Sequence, residues 1–267
     1  MPRLRKDRQA SHLGRRRRPY LGVVLLLALV IFGLALASPA SAITGELGEL
    51  LVQQPCCNGA ALQGSRSHIL FPNAPQVGNF RTVLSLVGAQ DLGANTHQTG
   101  ELGLLMDDNL IVDGDSNCFK PYNVVVGFYE WYDYSAGTVR CKALGQTSVG
   151  HLYSVAQQSN SKFQFFVDGS AQLSSPLIEM HGSHAPNADQ VAAGGEEVWA
   201  DGLSAEPVNW QASFGGNGNT PWQRFNNTLG WTTIQSNNAI CNGGPSCTGG
   251  SWSFSTASFP TTWSVIH

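Results

Sequence analysis

Gln98, Glu130 and Glu179 are side chains whose types could combine in hydrolysis, carboxylates to move a proton and an amide to donate a hydrogen bond. Gln98 opens the run Gln98-Thr99-Gly100-Glu101-Leu102-Gly103-Leu104-Leu105-Met106, and Glu130 lies in Phe128-Tyr129-Glu130-Trp131-Tyr132-Asp133. Each run sets an amide or a carboxylate among apolar residues, where a polar group costs free energy unless something pairs with it. A glutamate beside a glutamine amide has a definite use. The carboxylate takes a proton from water, the water attacks a carbonyl, and the amide NH2 donates to the oxyanion that forms. The protonated carboxyl then returns its proton to the leaving amine.

Strand parity links the candidates. Side chains alternate between the two faces of a strand. Glu130 therefore shares a face with Val126, Phe128 and Tyr132, and Glu179 shares one with Leu177 and His181. If these strands are neighbours in one curved sheet, Gln98, Glu130 and Glu179 converge on it as a groove with aromatic walls. Other signatures are missing: there is no GxSxG elbow, no HExxH and no P-loop. Asp107, Asp108, Asp113 and Asp115 surround a short loop without EF-hand spacing. His181 and His184 have no evident third ligand. No metal and no cofactor is expected.

The elements that must hold these residues read as strands. After residue 50 helical periodicity is nearly absent; Gly45 to Gln53 alone looks briefly helical. Short β-branched and aromatic runs predict strands over 80–87, 98–106, 123–132, 138–144, 151–157, 162–167, 176–180, 197–200 and 230–234. Gly/Asn-rich stretches at 192–195, 214–220 and 241–250 read as loops. Regular spacing of strands and turns gives an all-β antiparallel sandwich of jelly-roll or concanavalin-like form. The expected organisation is a signal peptide over 1–42, an extension over 43–79, the sandwich over 80–236 and a packed extension over 237–267.

The first 42 residues carry a basic start, an apolar stretch over 21–37 and Ala40-Ser41-Ala42 as a small-residue cleavage site, the pattern of a secretory leader. Arg17-Arg18 approximates a twin-arginine signal, and an uncleaved membrane anchor is the alternative. Without the leader's eight bases and single acid, 7 Lys+Arg and 17 Asp+Glu remain, a net charge of −10. Such a balance argues against nucleic acid and against anionic membranes. All six cysteines, Cys56, Cys57, Cys118, Cys141, Cys241 and Cys247, fall after the leader. An even count in an exported chain favours disulfides. Cys241 and Cys247 bracket a small loop, Cys118 and Cys141 flank the Glu130 run, and the adjacent Cys56 and Cys57 are expected to pair elsewhere.

Over residues 80 to 180 the order of motifs resembles the eqolisin-type glutamic peptidases. The resemblance rests on Leu86-Val87-Gly88-Ala89-Gln90-Asp91, on His97-Gln98-Thr99-Gly100-Glu101-Leu102 and on Phe128-Tyr129-Glu130-Trp131-Tyr132-Asp133, against the family's WVGIDG, LQTGVDF and WYEWYP. Leu86 stands where the family has Trp, Asp91 is displaced by one position, and Asp133 replaces Pro. The resemblance implies a β-sandwich with Gln98 as catalytic oxyanion donor. Asp91, Glu130, Trp131 and Tyr132 would contact substrate. For the catalytic glutamate it implies Glu179 first, on topological order, and Glu196 second.

Three functions are open on these residues. One is a secreted, monomeric acid endopeptidase acting on polypeptide. Another is a non-catalytic module for polysaccharide or cell wall, using aromatics such as Trp210, Trp222 and Trp231. The last is a structural envelope protein without a ligand.

Overall fold

The computed structural model describes residues 43–70, 81–93, 96–108, 124–147, 150–200, 211–235, 239–242 and 253–266. The leader, Asp113, Asp115, Cys118, Trp210 and Cys247 lie outside them. Among the described residues no helix is long and apolar enough to cross a membrane. All described strand pairings are antiparallel, and two sheets face one another as a β-sandwich.

The first sheet has seven strands: β1 (Ile43–Gln53), β3 (Arg81–Gly93), β4 (Thr96–Asp108), β5 (Val126–Asp133), β6 (Thr138–Gln146), β10 (Gln190–Ala200) and β14 (Ile240–Asn242). Their order across the sheet is β14-β1-β10-β3-β4-β5-β6. The second sheet runs β15 (Ser253–Ser255), β16 (Thr262–Ile266), β11 (Gln211–Gly215), β2 (Gly64–Leu70), β7 (His151–Gln157), β8 (Phe163–Val167), β9 (Ser170–Ala171). The hairpin β12 (Gln223–Asn226) and β13 (Gly230–Thr233) joins it through β12 on β2.

The inter-sheet core follows the alternation. Val52, Val83, Val87, Leu102, Leu104, Tyr129 and Val191 from the first sheet meet Ile69, Val155, Phe163, Phe165, Phe214, Trp222 and Trp263 from the second. The opposite parity of the first sheet, on its outward face, holds a smaller apolar cluster of Leu84, Leu86, Leu105, Val126, Phe128 and Cys141.

Four sequence expectations are corrected. Gly45 to Gln53 is not helical: it is part of β1, paired along its length with β10. The 192–195 stretch is not a loop but the middle of β10, between β1 and β3. Its glycines serve close backbone approach: a Cβ on Gly194 would lie 2.3 Å from the carbonyl oxygen of Gly48. The 176–180 run forms only a bridge, Ile178 to Phe163. Cys56 and Cys57 do not pair elsewhere either; both are free thiols beside a short 3-10 turn.

Candidate functional site

The outward face of the seven-stranded sheet carries the strongest concentration of ionisable groups among the described residues. Glu101 in β4 lies directly opposite Glu130 in β5. Like charges at facing cross-strand positions are unfavourable. Here both carboxyls are buried, at 4% and 9% exposure. Glu196 of β10, half-buried, completes the group, and ligand oxygens of the three glutamates lie within 4.8 Å of one another.

Burial and mutual repulsion force protons onto this group. Loss of hydration, followed by the charges of Glu101 and Glu196, holds the Glu130 carboxyl well above the usual carboxylate range. A hydrogen bond between Glu101 and Glu130 adds to the shift, as two carboxyls sharing a proton would. Burial and then the charge of Glu101 push Glu196 up to about 8.

Glutamine amides orient the group from one side. Gln90 Nε2 donates to Glu101 Oε1 at 2.7 Å. Gln190 donates in turn to Gln90 Oε1, and Gln53 Nε2 to Gln190 Oε1 at 2.8 Å. This relay crosses β1, β10, β3 and β4, and it fixes one lone pair of Glu101. Gly88 makes room: a Cβ there would lie 2.8 Å from Glu101 Cγ. Such a site can share and transfer protons to a bound water. Three carboxylate oxygens at this spacing also match what a hard divalent cation accepts.

The residues singled out from sequence fall in different places. Glu130 and Glu196 belong to the carboxyl group. Glu179 stands apart: its side chain is 51% exposed and ion-paired to Lys162 at 2.5 Å, which lowers its pKa. Asp91 is fully buried; it accepts the backbone N–H of His181 and, at 3.5 Å, the Tyr134 hydroxyl. Gln98 sits opposite Asp91 in the β3–β4 register. Tyr132 packs edge-on against Tyr134, which lies 4.1 Å from the His181 ring. Trp131 packs beside Tyr129, half-buried at the margin of the core. His184 and His181 do not converge: His184 bonds the buried Asp189, whereas His181 lies 3.9 Å from Glu179. Of the tryptophans, Trp222 is a core residue donating to Ser65 Oγ.

Sequence reading missed Glu101, Gln90, Gln190 and Gln53. A signal for Glu101 was present, since it follows Gln98 by three residues in the same run. The glutamines had none, because their relay joins segments as many as 137 residues apart.

No family model matches the chain, and no curated protein matches it. Solved structures with similar folds include scytalido-glutamic peptidase bound to a peptide-based transition-state analogue, at 11% identity over 85% of this chain and 100% of that one, TM-score 0.47. Another is SCP-B, a member of the eqolisin family of peptidases in complex with the tripeptide Ala-Ile-His, at 11% identity over 85% and 98%, TM-score 0.44. A prokaryotic β-1,3-1,4-glucanase (lichenase) from a mouse hindgut metagenome aligns at 12% identity over 60% and 69%, TM-score 0.29. At such identities and TM-scores these likenesses assign neither family nor activity.

Proposed function

We propose that this protein is a secreted hydrolase of peptide bonds in which the Glu101–Glu130 carboxyl pair activates water. The observation that carries this reading is the trio of glutamates within 4.8 Å, two of them with strongly raised affinity for protons. Paired carboxyls that share one proton hold a water ready for attack: the ionised member accepts the water's proton, and the protonated member polarises the carbonyl or protonates the leaving amine. Glu196, half-buried and protonated below about pH 8, is the second proton source. Gln98, the oxyanion donor that motif order implies, alternates with Leu102 and Leu104 along β4, so its register position is on the opposite face from Glu101 and this reading does not use it. The polypeptide substrate comes from the motif resemblance in 80–180 alone. Export through the leader and the bridges Cys118–Cys141 and Cys241–Cys247 belong to the same reading.

The test is cleavage of denatured casein between pH 2 and 7, beside Glu130→Gln, Glu196→Gln, Gln98→Ala and Glu179→Ala. Loss of one acid–base group is expected to lower the rate by about 10²- to 10⁴-fold in Glu130→Gln and Glu196→Gln. Glu179→Ala and Gln98→Ala should keep their activity. Abolition by a chelator, with rescue by a divalent cation, would reassign the trio as metal ligands. Absence of cleavage by folded wild-type protein across the whole pH range would sink the reading.

A further inference from the structure

The outward face of the second sheet carries a separate groove of about 350 Å³. Its floor is made of β2 and β7, with Arg66 directly opposite Ser154 in the register and Ala156 two residues further along β7. Phe225 and Trp231 of the β12–β13 hairpin form one wall, and Phe166 of β8 stands on the other side. Phe225 and Trp231 brace one another with ring centroids 5.0 Å apart. None of these residues belongs to the carboxyl trio.

Arg66 is the charged group of the groove. Its Cζ lies 4.3 Å from the centroid of the Trp231 ring, and its Nε donates to Gln223 Oε1 at 2.7 Å. Among the described residues no carboxylate pairs with it. The nearby acid Asp168 is taken up by His151, at 2.7 Å. A guanidinium fixed through Nε and stacked on an indole still presents the Nη edge that binds a carboxylate in bidentate fashion. Ser154 is only 5% exposed and lines the groove, and its hydroxyl makes no hydrogen bond among the described residues. In an otherwise acidic chain, an unpaired and partly desolvated cation between aromatic walls marks a site for an anion with an apolar face.

We infer that this groove binds a carboxylate-bearing glycan, a chain of uronic acid residues, with the carboxylate on Arg66 and pyranose faces against Trp231 and Phe166. The floor favours sugar over peptide. β2 and β7 are interior strands whose backbone groups are paired within the sheet, β2 with β7 and β7 with β8. An extended acidic peptide would find no strand edge to extend on this floor. A sugar needs only side-chain partners, and the Ser154 hydroxyl, the Ser159 hydroxyl and the Gln158 amide oxygen supply them. The inference stands whether or not the opposite face hydrolyses peptides.

Calorimetric titration of the full chain with oligogalacturonate, a neutral β-glucan oligosaccharide and oligoglutamate tests it. The uronate is expected to bind with an affinity that falls as salt rises, at least tenfold more tightly than the neutral glucan. Arg66→Gln and Trp231→Ala should each weaken it tenfold or more while casein cleavage stays as in the wild type. If Arg66→Gln does not fold, Trp231→Ala and Arg66→Lys decide: the former should lose uronate binding and the latter weaken it through loss of the bidentate contact. Equal affinity for uronate and neutral glucan, unchanged binding in Trp231→Ala, or binding of oligoglutamate as tight as that of uronate would each overturn the inference.

Discussion

Glu101 and Glu130 face one another across adjacent strands because two separate apolar runs each place a glutamate at the same register position. The energetic consequence is local: the pair tolerates burial only while it holds a proton. Gly88 is the residue that lets Glu101 lie flat across β3. In Gly88→Ala the added methyl meets Glu101 Cγ at 2.8 Å, so the carboxyl must swing away from Gln90 and Glu130. Peptide cleavage is expected to fall at least tenfold, while the melting temperature shifts by only a few degrees, since the clash is with a flexible side chain. Equal losses of activity and stability, measured on the same preparation, would show that Gly88 serves the sheet rather than the site.

At the scale of elements, β1 decides how the site is framed. Its sequence, with leucines at positions 47, 50 and 51, fits a short helix as well as a strand, because periodicity over nine residues discriminates poorly. The sheet settles the matter: β10 pairs with it over all 11 residues, and its alternate side chains enter different environments. Leu50 and Val52 enter the inter-sheet core, and Gln53 begins the amide relay. Leu50→Ala should therefore cost about 2–5 kcal/mol in denaturant unfolding, the value for a leucine removed from a packed core. A loss below about 0.5 kcal/mol would mean that β1 is peripheral. Strands 151–157, 162–167 and 230–234 were legible because alternation and turn residues bounded them closely; the observed limits differ by at most one residue. β10 was legible only in its second half, because Ala192 to Gly195 has a loop's composition. Those small residues answer to the closeness of β1, which local sequence does not record.

For the whole molecule, the pH dependence of stability follows from opposed groups. Burial raises the Asp189 carboxyl, but hydrogen bonds from Leu92, His184 and Ser183 outweigh it and hold the group down at about 2. A carboxylate held low stabilises the fold above its unfolded pKa, near 3.8, and that contribution is lost as pH falls toward 2. Glu196 has the opposite sign. The folded state binds its proton more tightly than the unfolded chain, so its contribution is complete below 4.5 and lost as pH rises to about 8. Glu130 acts in the same direction. The net charge of −10 after the leader adds self-repulsion as the remaining acids ionise. Melting temperature is expected to peak near pH 4 and to fall toward both pH 2 and pH 8. Glu196→Gln should flatten the alkaline limb and leave the acid limb unchanged. A wild-type melting temperature that rises steadily from pH 4 to 8 would show that the trio is not protonated as described.

By itself, the sequence determined the all-β class, the alternation of core positions in most strands and the candidacy of Glu130, since these depend on residue type and near neighbours, whereas Glu196 entered only as the second choice of the motif resemblance. Tertiary structure alone decided which carboxyls meet. Glu179, placed first by motif order, is drawn to solvent by Lys162, whereas Glu101 is brought onto Glu130 by the β4–β5 register. The amide relay and the Arg66 groove are likewise products of strand order. Hydrogen bonds and stacking reach only a few ångströms, and chain topology determines which distant residues come that close.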